Sequence, residues 1–350
     1  MGIRYLVPAG LGMAVLLVMG AVQTSTAYEI KPKQPNHERL TALAERCLAA
    51  AAGALPSHCP LPRTAAEFAA TDIGGSVYAN AVRWPDDPTR QISATGLGKI
   101  AVNLGAERCK RHVGPGKPFG GLMCNSHYGA LQFLHAMRPT AGEAPSETRA
   151  KILGWTRAAF AIATGQGVDA TTGYCTYFRS QSPALAEAFA PPGFPYCDDR
   201  TEGGKSYKAW RVHTLFTLEC RNPFASTKCS ELTGDVAADL ARKRAAGALL
   251  HLIQDSFSQS HTARGGVFPA GPYSARVVCL PVREYYDYAQ NSGVHPAADK
   301  APTFDLAGCA DGPVADPITA SAQMLWLIEQ RANPDAAVKL MAEAVLGAAT

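Results

Sequence analysis

The chain of 350 residues predicts an all-α fold: one helical domain with long loops stapled by disulfides. Three observations carry that expectation. Apolar residues recur at three- and four-residue spacing, alternating runs of strand type are few, and ten cysteines all lie beyond a single apolar leader. Hydrophobic residues make up 47% and charged residues 18%, a balance that excludes a disordered chain. The formal net charge of +4 is spread along the chain, which gives no support to a DNA-coating or membrane-surface protein.

The elements follow in order. Residues 1–27 read as a secretory signal peptide: one basic residue in 1–4, an apolar run over 11–22, then Ser25, Thr26 and Ala27 as small residues for cleavage. The apolar run is short for a membrane anchor, and no later stretch approaches the length of a span. The mature domain would cover 28–350, secreted or periplasmic. Helices are expected over 37–52, with Asn36 as N-cap, and over 126–137, 146–164 and 208–219. The longest is expected over 234–261. A closing pair over 316–331 and 335–348 is broken at Asn333-Pro334. Gly/Pro-rich connections fall at 53–62, 113–121, 190–204, 264–273 and 292–314.

An even number of cysteines in an exported chain reads as a disulfide set. Spacing suggests nearest-neighbour pairs, Cys47–Cys59, Cys109–Cys124, Cys175–Cys197, Cys220–Cys229 and Cys279–Cys309, though spacing alone leaves other connectivities open. Zinc–thiolate binding is the competing reading. It is weakened by the absence of any C-x2-C pair.

The sharpest local signal is the run His251-Leu-Ile-Gln-Asp255-Ser-Phe-Ser-Gln-Ser-His261. His251 and Asp255, four apart, share one face of a helix. Ten residues on, His261 would return to within roughly 80° of that face if the helix continued. His295 and Asp299 repeat the four-residue spacing. Imidazole and carboxylate are the ligands of hydrolytic zinc sites. A single such pair is more often a surface or capping arrangement; two pairs and a further histidine, in a chain with nine histidines, favour a metal site.

This H-x3-D-x5-H run followed by H-x3-D resembles the zinc-dependent phospholipase C and P1/S1 nuclease superfamily. Three upstream segments fit the same order: Asn36-His37, Trp84-Pro-Asp86-Asp87 and Ser126-His127-Tyr128. The resemblance implies a mostly helical, secreted, disulfide-containing fold with up to three Zn2+ ions in one cleft. One zinc would take Asp86, His127, His251 and Asp255. Asp255 would bridge to a second, held by His37 and by the backbone amine and carbonyl of the mature first residue, Tyr28, where the family usually has Trp. The third would take His261, His295 and Asp299. Either Asp86 or Asp87 would be the ligand, and one of the two could serve as the base orienting a zinc-activated water. Tyr128 would stack against a base or head group, and His135, eight residues after His127, is the alternative to His127.

The expected function is a secreted zinc-dependent phosphoric diester hydrolase, phospholipase C-like, with no obligate protein partner evident. The alternatives are a single-strand-specific P1/S1-type nuclease and a non-catalytic, zinc-stabilised helical binding module. The substrate would be a phosphodiester of a phospholipid or of single-stranded nucleic acid. Clustered zinc ions would neutralise phosphate oxygens and lower the pKa of water. His58 and His112 read as solvated, and His213 as a core or capping residue. Tyr285, Tyr286 and Tyr288 read as core packing, with a cleft wall as the alternative.

Overall fold

In the computed structural model, residues 30–31, 34–89, 109, 111, 113, 121–221, 228–265, 281–288 and 316–347 are described. They are mostly helical, as expected, with three two-stranded antiparallel ribbons. The first helix, Asn36–Ala50, buries Leu40, Ala44, Cys47 and Leu48 along one stripe. Pro35 takes its cap position, so Asn36 is the first helical residue rather than the cap. Helix Pro145–Thr164 starts on a proline suited to the first turn. It stops at Gly165, whose left-handed φ of 70° favours glycine. Helix Pro317–Glu329 is capped by the Asp316 carboxylate, which accepts from the amides of Ile318 (2.8 Å) and Thr319 (2.7 Å). Asn333 caps Pro334–Lys339, which runs into a π-helical turn, Leu340–Val345.

The central helix, Gly234–Ser256, organises the molecule. Every residue from 244 to 256 is buried, so no face of its second half meets water. The helices Asn36–Ala50, Pro145–Thr164, Val212–Phe216 and Pro317–Glu329 pack around it. Trp155 stacks on Phe189 at 5.1 Å, and Trp84 lies 4.6 Å from Phe216, filling the core beside it.

The expected helix over 126–137 is two pieces: Leu122–Tyr128, then a 3-10 turn, Gln132–His135. Gly129 makes the break. It is extended, and a Cβ there would lie 3.0 Å from the Asn125 Cα, as well as against the Asn125 side chain. The helix expected over 208–219 shrinks to Val212–Phe216 and a 3-10 turn, Leu218–Arg221, because backbone bonds tie residues 210–212 to Thr172, Tyr174 and Tyr196 instead. The central helix ends at Ser256, so His261 lies beyond it in a turn. Short helices Ala65–Ala69, Tyr174–Arg179 and Pro183–Phe189 occupy stretches with no expected element.

Four of the five suggested cysteine pairs form: Cys47–Cys59, Cys109–Cys124, Cys175–Cys197 and Cys220–Cys229. Cys279 and Cys309 lie outside the described residues, as does the leader. No helix among the described residues is long and apolar enough to cross a membrane.

Candidate metal centre

The site grows out of the second half of the central helix. His251 and Asp255, one turn apart, are fully buried. His251 Nδ1 donates to the Val82 carbonyl at 2.9 Å. Its Nε2 therefore carries the lone pair, and it faces Asp255 Oδ2 at 2.9 Å. Two acceptors at that distance need a proton or a cation between them. His135 Nδ1 joins the same point, 3.0 Å from His251 Nε2 and 3.0 Å from Asp255 Oδ2. Asp86 Oδ1 closes the group at 3.7 Å from both histidine nitrogens.

These five separations fit one tetrahedral cation. Zinc–nitrogen and zinc–oxygen bonds of about 2.0–2.1 Å put neighbouring ligands about 3.3–3.4 Å apart. The observed range, 2.9 to 3.7 Å, brackets that value. The unused donors agree. Asp86 Oδ2 and Asp255 Oδ1 are buried with no hydrogen-bond partner among the described residues. Native proteins rarely leave buried polar atoms so.

A second set adjoins the first. His37 stacks on His251, ring centroids 3.9 Å apart, and its Nε2 lies 3.4 Å from Asp255 Oδ1. Asp255 thus turns one oxygen to each set. His37, His251 and Asp255 form one group with metal-binding spacing, and Asp86, His127 and His135 form another. His127 Nε2 is 3.6 Å from Asp86 Oδ1, and its Nδ1 is 3.0 Å from the Met123 carbonyl. With 14% of its side chain exposed, against none for His37, His135 and His251, His127 marks the open side of the site. Tyr288 presses edge-on against His127 (5.5 Å) and Tyr128 (5.4 Å) there. The ribbon Thr262–Arg264 with Val282–Tyr285 delivers it, and the Tyr288 amide donates to Gln132 Oε1 at 2.8 Å.

The charges are set by these contacts. Burial raises the Asp86 pKa, but His251, His127, His135 and His37 outweigh it and hold the carboxyl at about 2. Burial also opposes the Asp255 charge, yet His261, His251 and His37 keep it well below the carboxylate range. Burial depresses His135 to about 4 despite Asp255 beside it. For His37, burial is overcome by Asp255, and its pKa rises to about 9.

The structure therefore brings His37, Asp86, His127, His251, Asp255 and His261 together. Three expectations change. His127 and His135 are not alternatives on one helix: both reach Asp86, from the end of a helix and the end of a 3-10 turn. His135 sits with His251 and Asp255 where His127 was expected. His261 reaches the site from a turn, its Nδ1 donating to the His135 carbonyl at 2.5 Å and lying 3.6 Å from Asp255 Oδ2. Asp86 is the member of its pair that reaches the histidines through those contacts; Asp87, also buried, follows in the same turn. Tyr28, His295 and Asp299 lie outside the described residues. Two polar neighbours were missed in the sequence, Gln254 and Thr41. Thr41 stands four residues after His37, and Gln254 three after His251, so helical spacing could have found both. No family model, curated protein or solved structure matches the chain.

Proposed function

We propose that the protein is an exported zinc-dependent phosphodiester hydrolase of the phospholipase C/P1 nuclease type. The observation that carries this reading is the buried set Asp86, His135, His251 and Asp255, whose facing atoms lie 2.9 to 3.7 Å apart, close to the spacing of ligands around one tetrahedral cation. In the proposal those four residues hold one zinc. His37 and the second oxygen of Asp255 contribute to another, with the Tyr28 backbone, and His261, His295 and Asp299 to a third. Zinc in such a nest supplies positive charge for the phosphate oxygens and lowers the pKa of water. In the proposal Asp86 Oδ2 accepts a hydrogen bond from the attacking water, a role Asp87 would otherwise fill. His127, the exposed member, meets the substrate first. Four disulfides fit an oxidising compartment, which supports export.

His251→Ala and Asp255→Ala should each abolish hydrolysis of bis(4-nitrophenyl) phosphate and lower bound zinc in metal analysis. Retention of both activity and zinc by the two variants refutes the reading. Zinc bound without hydrolysis by the unaltered protein would instead indicate the non-catalytic binding module. Tyr128, half-buried beside His127 and backed by the buried Tyr288, is the ring offered to a nucleobase or head group flanking the phosphodiester. Rates on lecithin and on single-stranded DNA separate the lipase from the nuclease.

A further inference from the structure

We infer that Gln254 is a positioning residue for the second metal, holding the His37 ring in the tautomer that can bind it. This rests on the zinc reading above and adds a residue to it. Gln254, His37 and Thr41 are all wholly buried. Gln254 Oε1 lies 2.7 Å from His37 Nδ1, and Gln254 Nε2 donates to Thr41 Oγ1 at 3.0 Å. An amide oxygen only accepts, so His37 Nδ1 carries a proton, and Nε2 is left as the nitrogen that gives up its own proton when a metal binds. Nε2 faces Asp255 Oδ1, 3.4 Å away. The amide can turn neither way freely, because its nitrogen is engaged by the threonine hydroxyl one helical turn along from His37.

The placement is economical in chain terms. Gln254 directly precedes Asp255, so one turn of the central helix supplies both a metal-facing carboxylate and the group that aims the neighbouring histidine. A buried amide is tolerated there only when both of its ends are hydrogen-bonded. Both are used. Partners behind a ligating histidine typically govern metal affinity by 10–100-fold.

The test is zinc titration of the full chain against a competing chelator, paired with long-range nitrogen NMR of the His37 ring in the zinc-loaded state. In the unaltered protein the His37 proton should sit on Nδ1. Gln254→Leu should weaken the last zinc equivalent by about 10–100-fold and mix the two ring tautomers. Gln254→Glu, which keeps the acceptor, should restore both. Should Gln254→Leu fail to fold, Thr41→Val, which frees the amide, should weaken the same equivalent in the same direction. Unchanged zinc affinity and an unchanged tautomer in folded Gln254→Leu, or in Thr41→Val, overturn the inference while leaving the zinc reading intact. No zinc binding by the unaltered protein overturns the zinc reading itself, and this inference with it.

Discussion

Gly247 sits one turn before His251 on the central helix, where the segment carrying Ala81 and Val82 crosses it. A Cβ at Gly247 would lie 2.6 Å from the Val82 amide nitrogen and closer still to the Ala81 carbonyl group. Ordinary contacts need about 3.5 Å, so Gly247→Ala forces the two backbones about 1 Å apart. The obstacle is main chain on both sides, and no flexible side chain can give way. Two consequences follow from that shift. The bond from His251 Nδ1 to the Val82 carbonyl, now 2.9 Å, stretches beyond hydrogen-bond range. Asp86, four residues further along the displaced segment, retreats from His135 and His251, both now 3.7 Å from its Oδ1. Metal–ligand bond lengths vary by only about 0.2 Å, so a carboxylate carried off by about 1 Å is lost as a ligand.

Stability and metal affinity should part company in this variant. Alanine improves the helix by about 1 kcal/mol over glycine, while overpacking costs about 1–3 kcal/mol. The net loss of folding stability should thus stay within about 2 kcal/mol. Zinc affinity should fall by at least about tenfold, since one ligand is withdrawn and another loses its orienting bond. Urea unfolding of the chelator-treated protein measures the first quantity, and competition with a chromogenic chelator the second. A folded Gly247→Ala protein that binds zinc as tightly as the parent would refute the reasoning.

The metal-free protein should show a stability maximum near pH 6.5. His37 has its folded pKa raised from 6.5 to about 9, so its contribution is complete below 6.5 and is lost as pH rises through 9. Asp86 and Asp255 have depressed pKa values, and His135 is held near 4, so their contributions disappear on the acid side. Thermal midpoints from pH 3 to 10 with chelator check this. A midpoint that does not fall between 6.5 and 9, or a zinc-loaded protein that shows the same alkaline loss, counts against His37 as a metal-facing group. The Cys47–Cys59 bridge closes a loop of 12 residues at the far end of the first helix from His37. Replacing both cysteines with alanine should cost about 3 kcal/mol in urea unfolding and leave zinc affinity unchanged; a parallel loss of zinc would show that the bridge sets the site rather than the fold.

Much of this architecture was legible because its signals are local. Proline and asparagine or aspartate placed the starts of the last two helices, and the apolar stripe of residues 40, 44, 47 and 48 placed the first. The four-residue spacing of His251 and Asp255 put them on one face wherever that helix lay. Other features depend on contacts far along the chain and leave no local trace. Nothing around Ser256 says that the helix stops there, so His261 was carried onto a turn of helix that does not exist. Gly129 reads as a tolerated helical glycine until its close approach to Asn125 is seen. The segment bearing Asp86 reaches the site only because Gly247, some 160 residues later, lets it lie against the helix backbone.

The central helix does hold one clue to the site that does not depend on a motif. From 244 to 256 it is buried on every side, a pattern expected of a run of alanine and leucine. Into that run are set His251, Gln254 and Asp255, and each buried polar group costs a few kcal/mol unless something answers it. Protein groups answer part of the demand: Val82 for His251, and Thr41 and His37 for Gln254. For Asp255 they answer only in part: His135 Nδ1 lies 3.0 Å from Oδ2, while Oδ1 makes no hydrogen bond among the described residues. A carboxylate in that position stabilises the fold only when positive charge stands beside it. In the metal-free protein the proton on His37 supplies that charge, and a divalent cation would supply more of it at the same place. The same burial that makes the helix a core element therefore makes its polar turn a place where a cation could be held.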